Sequence, residues 1–194
     1  MRIAEIKRKT KETRIELSLN LDGSGQTNIS SGIPFLDHML TLFTVHGLFD
    51  LTLKAKGDLK VDAHHTTEDI GICLGQALKK ALGNKQGIVR YGHAGIPMDE
   101  ALAQVFIDLS GRPFFCYQGK PLEGQTGSFD LELIPEFFRA LSNEAAMNLH
   151  IHLHYGENKH HCAEAIFKAC GRALSKAVSF DSRRSDIPSS KGVL

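Results

Sequence analysis

One short pattern occurs twice in this chain, as His64-His65-Thr-Thr-Glu68 and as His160-His161-Cys-Ala-Glu164, 96 positions apart. Laid over each other without a gap, residues 64–81 and 160–177 agree at nine of eighteen positions, among them Ile70 with Ile166, Gly75 with Gly171 and Leu78 with Leu174. Unrelated segments of ordinary composition agree at about one such position. The 194 residues therefore read as a duplication, and whatever the first half folds into, the second half folds into as well.

The hydrophobic pattern supplies the pieces. Residues 1–9 and 13–21 read as strands, the second with Ile15, Leu17, Leu19 and Leu21 alternating against polar neighbours, as a sheet with one wet face requires. Asp22-Gly-Ser-Gly25 reads as a turn, and a short strand follows. Residues 33–45 read as a helix opened by Pro34, striped by Leu36, Leu40 and Phe43, and ended by Gly47. Strands are expected at 49–56 and 58–63, then a helix over 65–82 with Thr66 and Asp69 as a capping pair and Gly83 beyond its end. From about residue 94 the order recurs, with strands at 101–110 and 113–118, a helix at 131–145, a strand at 147–155 and a helix at 160–178. His38 lies 13 residues before Leu51 and Glu136 lies 13 before Leu149, which sets those two side chains in equivalent places. The expected architecture is α+β: an internally duplicated half of an antiparallel sheet with two helices on one face, residues 1–92 and 93–180, the halves packed as one pseudo-symmetric unit. Residues 181–194 form a polar, turn-rich tail.

Bulk properties narrow the function. With 23 basic and 22 acidic residues and no basic stripe, nucleic acid is not the expected partner. The N-terminus carries no apolar stretch of the kind that directs export, and nowhere do eighteen apolar residues run together. The four cysteines, Cys73, Cys116, Cys162 and Cys170, include no CxxC pair and read as reduced thiols of a cytoplasmic protein.

The duplicated pattern itself is a chelating arrangement. On a helix, positions i and i+4 share a face, so His64 with Glu68, and His160 with Glu164, each direct an imidazole and a carboxylate to one point. His65 and His161 are turned by about 100° and serve a different ion, or the same kind of ion in another copy of the chain. With His38 and Glu136 the set comes to eight donors, enough for two metals that keep positions open for substrate. Mixed imidazole and carboxylate donors favour Mn, Fe, Co or Zn over Ca. Lys168 lies one turn beyond Glu164 and overlooks the same point. His150, His152 and His154 alternate with Leu149, Ile151 and Leu153 and read as the polar face of a strand.

Five ordered segments, FLDHML (35–40), HHTTED (64–69), DLSGRP (108–113), HHCAEA (160–165) and PSSKGVL (188–194), resemble imidazoleglycerol-phosphate dehydratases of histidine biosynthesis, and the likeness runs from TKET at 10–13 to the C-terminus. The resemblance implies a hydro-lyase that converts imidazoleglycerol phosphate to imidazoleacetol phosphate, with two Mn2+ per active site. It also implies trimers assembled into a 24-subunit shell with active sites at subunit interfaces. By motif, the implied metal ligands are His38, His64, His65, Glu68, His160, His161 and Glu164. Arg90, Arg112, Lys168, Ser189 and Lys191 are implied for phosphate binding, with the tail closing over the site. Glu136 stands where many members have histidine, so its place as the eighth ligand rests on a carboxylate substituting for an imidazole. Glu12 and Asp99 are favoured for proton transfer, since TKET and PMDEAL belong to the resemblance, with Glu164 as a further carboxylate at the metal. Two competing readings are a metal-storage or metal-sensing shell without turnover, and a dinuclear metallohydrolase.

Overall fold

The computed structural model describes residues 1–194. The first half runs β1 (Ile3–Lys9), β2 (Thr13–Asn20), β3 (Thr27–Ser30), α1 (Pro34–Gly47), β4 (Asp50–Gly57) and α2 (His64–Leu82). The second runs β5 (Tyr91–Met98), β6 (Ala101–Asp108), β7 (Phe114–Gln118), β8 (Gln125–Thr126), β9 (Phe129–Asp130), α3 (Leu133–Ala145), β10 (Asn148–Tyr155) and α4 (Lys159–Val178). Apart from the small β8–β9 ribbon the two halves match element for element. Their sheets have the same order, β1-β2-β4-β3 and β5-β6-β10-β7.

Each sheet is antiparallel except at one edge, where β3 runs parallel to β4 and β7 parallel to β10. The helix between the paired strands explains this: α1 between β3 and β4, and α3 between β7 and β10, carry the chain back to its starting side. In β2, Ile15, Leu17 and Leu19 are buried at alternate positions while the intervening residues face outward. Helices α1 and α2 cover the first sheet and α3 and α4 the second, and across the junction α1 packs on α4 and α2 on α3. All four helices thus lie between the sheets, and a single cluster of 50 buried residues draws on both halves, making one core.

The repeated glycines explain how closely the helices meet. A Cβ on Gly171 of α4 would stand 2.3 Å from the carbonyl oxygen of Phe43 in α1, and one on Gly75 of α2 would stand 2.7 Å from that of Leu141 in α3. Gly47, expected as the residue that ends α1, is instead its last helical residue, and a Cβ there would stand 2.5 Å from the Phe49 ring and 3.1 Å from the carbonyl of Gly171. The left-handed position falls to Leu48 (φ 58°), and its equivalent after α3 falls to Ala146 (φ 51°).

Three other expectations change. Residues 58–63 form a turn rather than a strand, with the Val61 amide donating to the Asp58 carbonyl at 2.8 Å. Strand β5 was hidden in the sequence by Gly92, Gly95 and Pro97, and an edge strand tolerates the missing proline N–H. It begins two residues ahead of the division at 92/93, so the turn between the halves lies within 83–90. Thr66 and Asp69 do not cap α2. Thr66 is buried, Asp69 accepts from Arg8 Nε at 2.9 Å and from the Thr13 hydroxyl, and Asp62 takes the His64 amide at 2.7 Å.

Candidate metal centre and anion-binding region

Asn158 starts α4 by accepting the amide of His160 at 2.9 Å, which sets the first turn of the second motif. His160 Nε2 then lies 2.9 Å from Glu164 Oε1, as the i, i+4 spacing predicts. From α1, His38 Nε2 comes within 3.2 Å of the same oxygen. The ligand atoms of His38, His160 and Glu164 all lie within 4.8 Å of one another. Donors held about 2.1 Å from an ion sit roughly 3–4.2 Å apart, a range that the two separations from Glu164 Oε1, 3.2 Å to His38 and 2.9 Å to His160, match. Burial raises the Glu164 carboxyl, but hydrogen bonds from Lys168, His38 and His160 outweigh it and hold the group at about 2. The carboxylate is anionic and ready to ligate.

The cluster crosses the duplication, with His38 from the first half and the other two from the second. In the equivalent place His64 and Glu68 lie on α2 and Glu136 on α3, but those three do not converge. Glu136 faces Arg139 at 3.4 Å, and Glu68 and His64 are exposed.

The rotated histidines behave alike in the two halves. His65 places Nδ1 3.0 Å from Asp58 and Nε2 4.0 Å from Glu12, at the β1–β2 turn. His161 places Nδ1 2.7 Å from Glu100 and Nε2 3.8 Å from Asp99, at the β5–β6 turn. Both proton-transfer candidates therefore stand at equivalent hairpin tips, facing the open nitrogen of a motif histidine. The bond from Asp58 raises the pKa of His65, that from Glu100 raises the pKa of His161, and Glu100 falls to about 2 chiefly through its bond with His161.

The expected phosphate residues fall into two groups. Lys168 sits beside the triad, its Nζ 2.6 Å from Glu164 Oε2. The others gather at the far end of α4. The Arg90 amide donates to the carbonyl of Ala177 at 2.9 Å, and its guanidinium grips Asp108 at 2.7 and 3.2 Å and the carbonyl of Pro188 at 2.8 Å. Leu194 reaches Gly111, beside Arg112: a Cβ on that glycine would stand 2.8 Å from the Leu194 carbonyl carbon. The tail does not hang free, since Asp186 and Gly87 are joined at 2.9 Å through their backbones. From His160 to Ala177 is seventeen residues, or about 25 Å along the helix axis.

Sequence reasoning missed Asp58, Glu100 and Asp108. The last two lay inside motifs that had been singled out, PMDEAL and DLSGRP, whereas nothing local marked Asp58. His150, His152 and His154 lie with Phe106 and Phe114 on the outer face of the second sheet, away from the triad. All four cysteines are free thiols, and no helix is long and apolar enough to cross a membrane.

Comparison with known proteins gives a consistent answer. A family model described as imidazoleglycerol-phosphate dehydratase matches residues 31–174. Proteins of that name from Geobacillus sp. (strain WCH70) and Bacillus subtilis (strain 168) are each 58% identical over 194 residues, covering 100% of this chain and of their own. The crystal structure of imidazoleglycerol-phosphate dehydratase from Staphylococcus aureus superposes with a TM-score of 0.84 at 43% identity, covering 92% of this chain and 99% of that one. A structure from Pyrococcus furiosus gives 0.83 at 36%, covering 97% and 100%. Full-length identity of this order, on a fold that repeats the same duplicated sheet-and-helix unit, means that the chain belongs to the imidazoleglycerol-phosphate dehydratase family, hydro-lyases of histidine biosynthesis.

Proposed function

We propose that this chain removes water from imidazoleglycerol phosphate to give imidazoleacetol phosphate, using two Mn2+ per site in a cytoplasmic shell of 24 copies built from trimers. The observation that carries the metal part is the convergence of His38, His160 and Glu164 on one point. His64, His65, Glu68 and His161 complete the donor set, and Glu136 joins it by turning from Arg139. Four free thiols fit a reducing compartment.

The need for several copies follows from distance. The triad and the Arg90–Arg112 region lie about 25 Å apart on one chain, and a ring, three carbons and a phosphate are too short to span that gap. A complete site therefore takes its histidines and its distal cations from different protomers. Arg90, Arg112, Ser189 and Lys191 of one copy hold the phosphate, while Lys168 stands beside the ring. Arginine suits this role because its planar fork matches phosphate oxygens.

When bound, the cations supply positive charge beside the ring nitrogens, which favours the deprotonated imidazole. An electron-rich ring expels the side-chain hydroxyl, the neighbouring C–H becomes labile, and loss of that proton leaves an enol that becomes the ketone. Glu12 and Asp99, exposed at their hairpin tips, accept and return the protons. A storage shell leaves the Arg90 and Lys191 region without a task, and the five ordered segments favour the dehydratase over a hydrolase.

The test is to strip the protein with chelator, restore Mn2+ and follow ketone formation from imidazoleglycerol phosphate. Product only after restoration is expected. No product at full metal occupancy, with fold intact, overturns the proposal.

A further inference from the structure

His65 and His161 make the same contact by different means. Each has Nδ1 against a carboxylate, His65 against Asp58 at 3.0 Å and His161 against Glu100 at 2.7 Å. The two carboxylates are not duplicates of each other. Glu100 immediately precedes β6, so its counterpart before β2 is Glu12, which faces Nε2 of His65 rather than Nδ1. Asp58 immediately follows β4, and the residue that follows β10 is Gly156. Counted back from the double histidines, the residue equivalent to Asp58 is His154, and no residue from His154 to Gly156 is acidic. The two Nδ1 contacts are thus made from non-equivalent positions in the two halves.

An ionised carboxylate only accepts hydrogen bonds, so its partner nitrogen must carry the proton. With the proton on Nδ1, the lone pair lies on Nε2, the nitrogen left open to ligate. Glu100 is itself braced, accepting the amides of Glu157 at 3.2 Å and Asn158 at 2.7 Å. Asp58 is fixed within the turn that leads into α2, and its second oxygen is buried without a partner.

We infer that Asp58 and Glu100 are positioning residues that fix His65 and His161 in the Nδ1–H form and aim Nε2 of each outward as a metal donor. The inference rests on reading those two histidines as ligands. Paired outer carboxylates of this kind change metal affinity by roughly 10- to 100-fold when removed.

The experiment uses the full-length, chelator-stripped protein and its Asp58→Ala, Glu100→Ala, His65→Ala and His161→Ala variants. Mn2+ affinity is read from the paramagnetic resonance of the free ion, and donor geometry from the visible spectrum of the Co2+-loaded protein. Asp58→Ala and Glu100→Ala should each weaken Mn2+ binding roughly 10- to 100-fold and shift the Co2+ bands in the direction that loss of the matching histidine shifts them. Unchanged affinity and spectra in both, while the histidine variants lose metal, overturn the positioning role and leave the ligand reading standing. A change confined to the unfolding midpoint of the metal-free protein also overturns it. If His65→Ala and His161→Ala bind like the wild type, the ligand reading falls and takes this inference with it. Should Asp58→Ala fail to fold, Glu100→Ala carries the test, since its side chain is 39% exposed at a hairpin tip.

Discussion

His38 Nε2 lies 3.2 Å from Glu164 Oε1, although 126 positions separate the two residues. One helix from each half has to dock for the contact to exist, so metal binding and the packing of α1 on α4 are coupled. The Glu164→Ala variant should lose metal at this site, measured by elemental analysis after dialysis. It also leaves Lys168, whose side chain is 15% exposed, without its anion. The metal-free variant should unfold at lower urea, by about 2 kcal/mol, less than the roughly 3–5 kcal/mol of a fully buried pair. Wild-type metal content would show that the triad is not a binding site.

The glycines that match between the motifs, Gly75 and Gly171, both stand where two helices approach closely. For Gly171→Ala the added Cβ meets the Phe43 carbonyl at 2.3 Å, backbone that has no room to move aside. The expected destabilisation is about 1–3 kcal/mol by urea unfolding. Gly95→Ala is the control, because nothing stands within 4 Å of its Cβ position. It should change stability by less than about 0.5 kcal/mol.

These two relationships show why some features were legible in the sequence and others were not. The bond between His160 and Glu164 follows from helical spacing alone, and the duplicated order of elements follows from pattern. Which helices would meet across the halves is a tertiary fact, so nothing in the spacing showed that His38 would join the second motif. The same limit applies to Asp58 and Asp108, ordinary acidic residues whose partners, His65 and Arg90, come to them through the fold. Gly47 was misread because a glycine near a helix end serves either a left-handed turn or a close contact, and here it serves the close contact, with the Phe49 ring and the Gly171 carbonyl.

Arg90 ties the tail to the body through the Pro188 carbonyl while Asp108 holds the rest of its guanidinium. Replacing it by Gln should release residues 188–194, beyond the backbone bond between Gly87 and Asp186, and amide hydrogen exchange of that segment should be faster than in the wild type. Lys191→Ala should instead leave that exchange and the metal content unchanged and raise KM. Unaltered kinetics for Lys191→Ala would remove the tail from the site.

Acid stability offers a check away from the metal. Asp50 accepts the amides of Ser24 at 2.8 Å and Gln26 at 3.0 Å and the side-chain amide of Asn20 at 3.0 Å, and these bonds, Ser24 first, lower its pKa. A carboxyl with a lowered folded-state pKa contributes stability that is complete above its unfolded value, about 3.9. That contribution is lost as pH falls through the folded-state value. The metal-free wild type should therefore be more stable than Asp50→Asn at pH 6 by a constant margin that holds down to about pH 4 and then closes. Urea unfolding of both proteins across that range measures it. A margin that survives below pH 2 would mean the carboxylate's charge is not what the turn at Ser24 and Gln26 depends on.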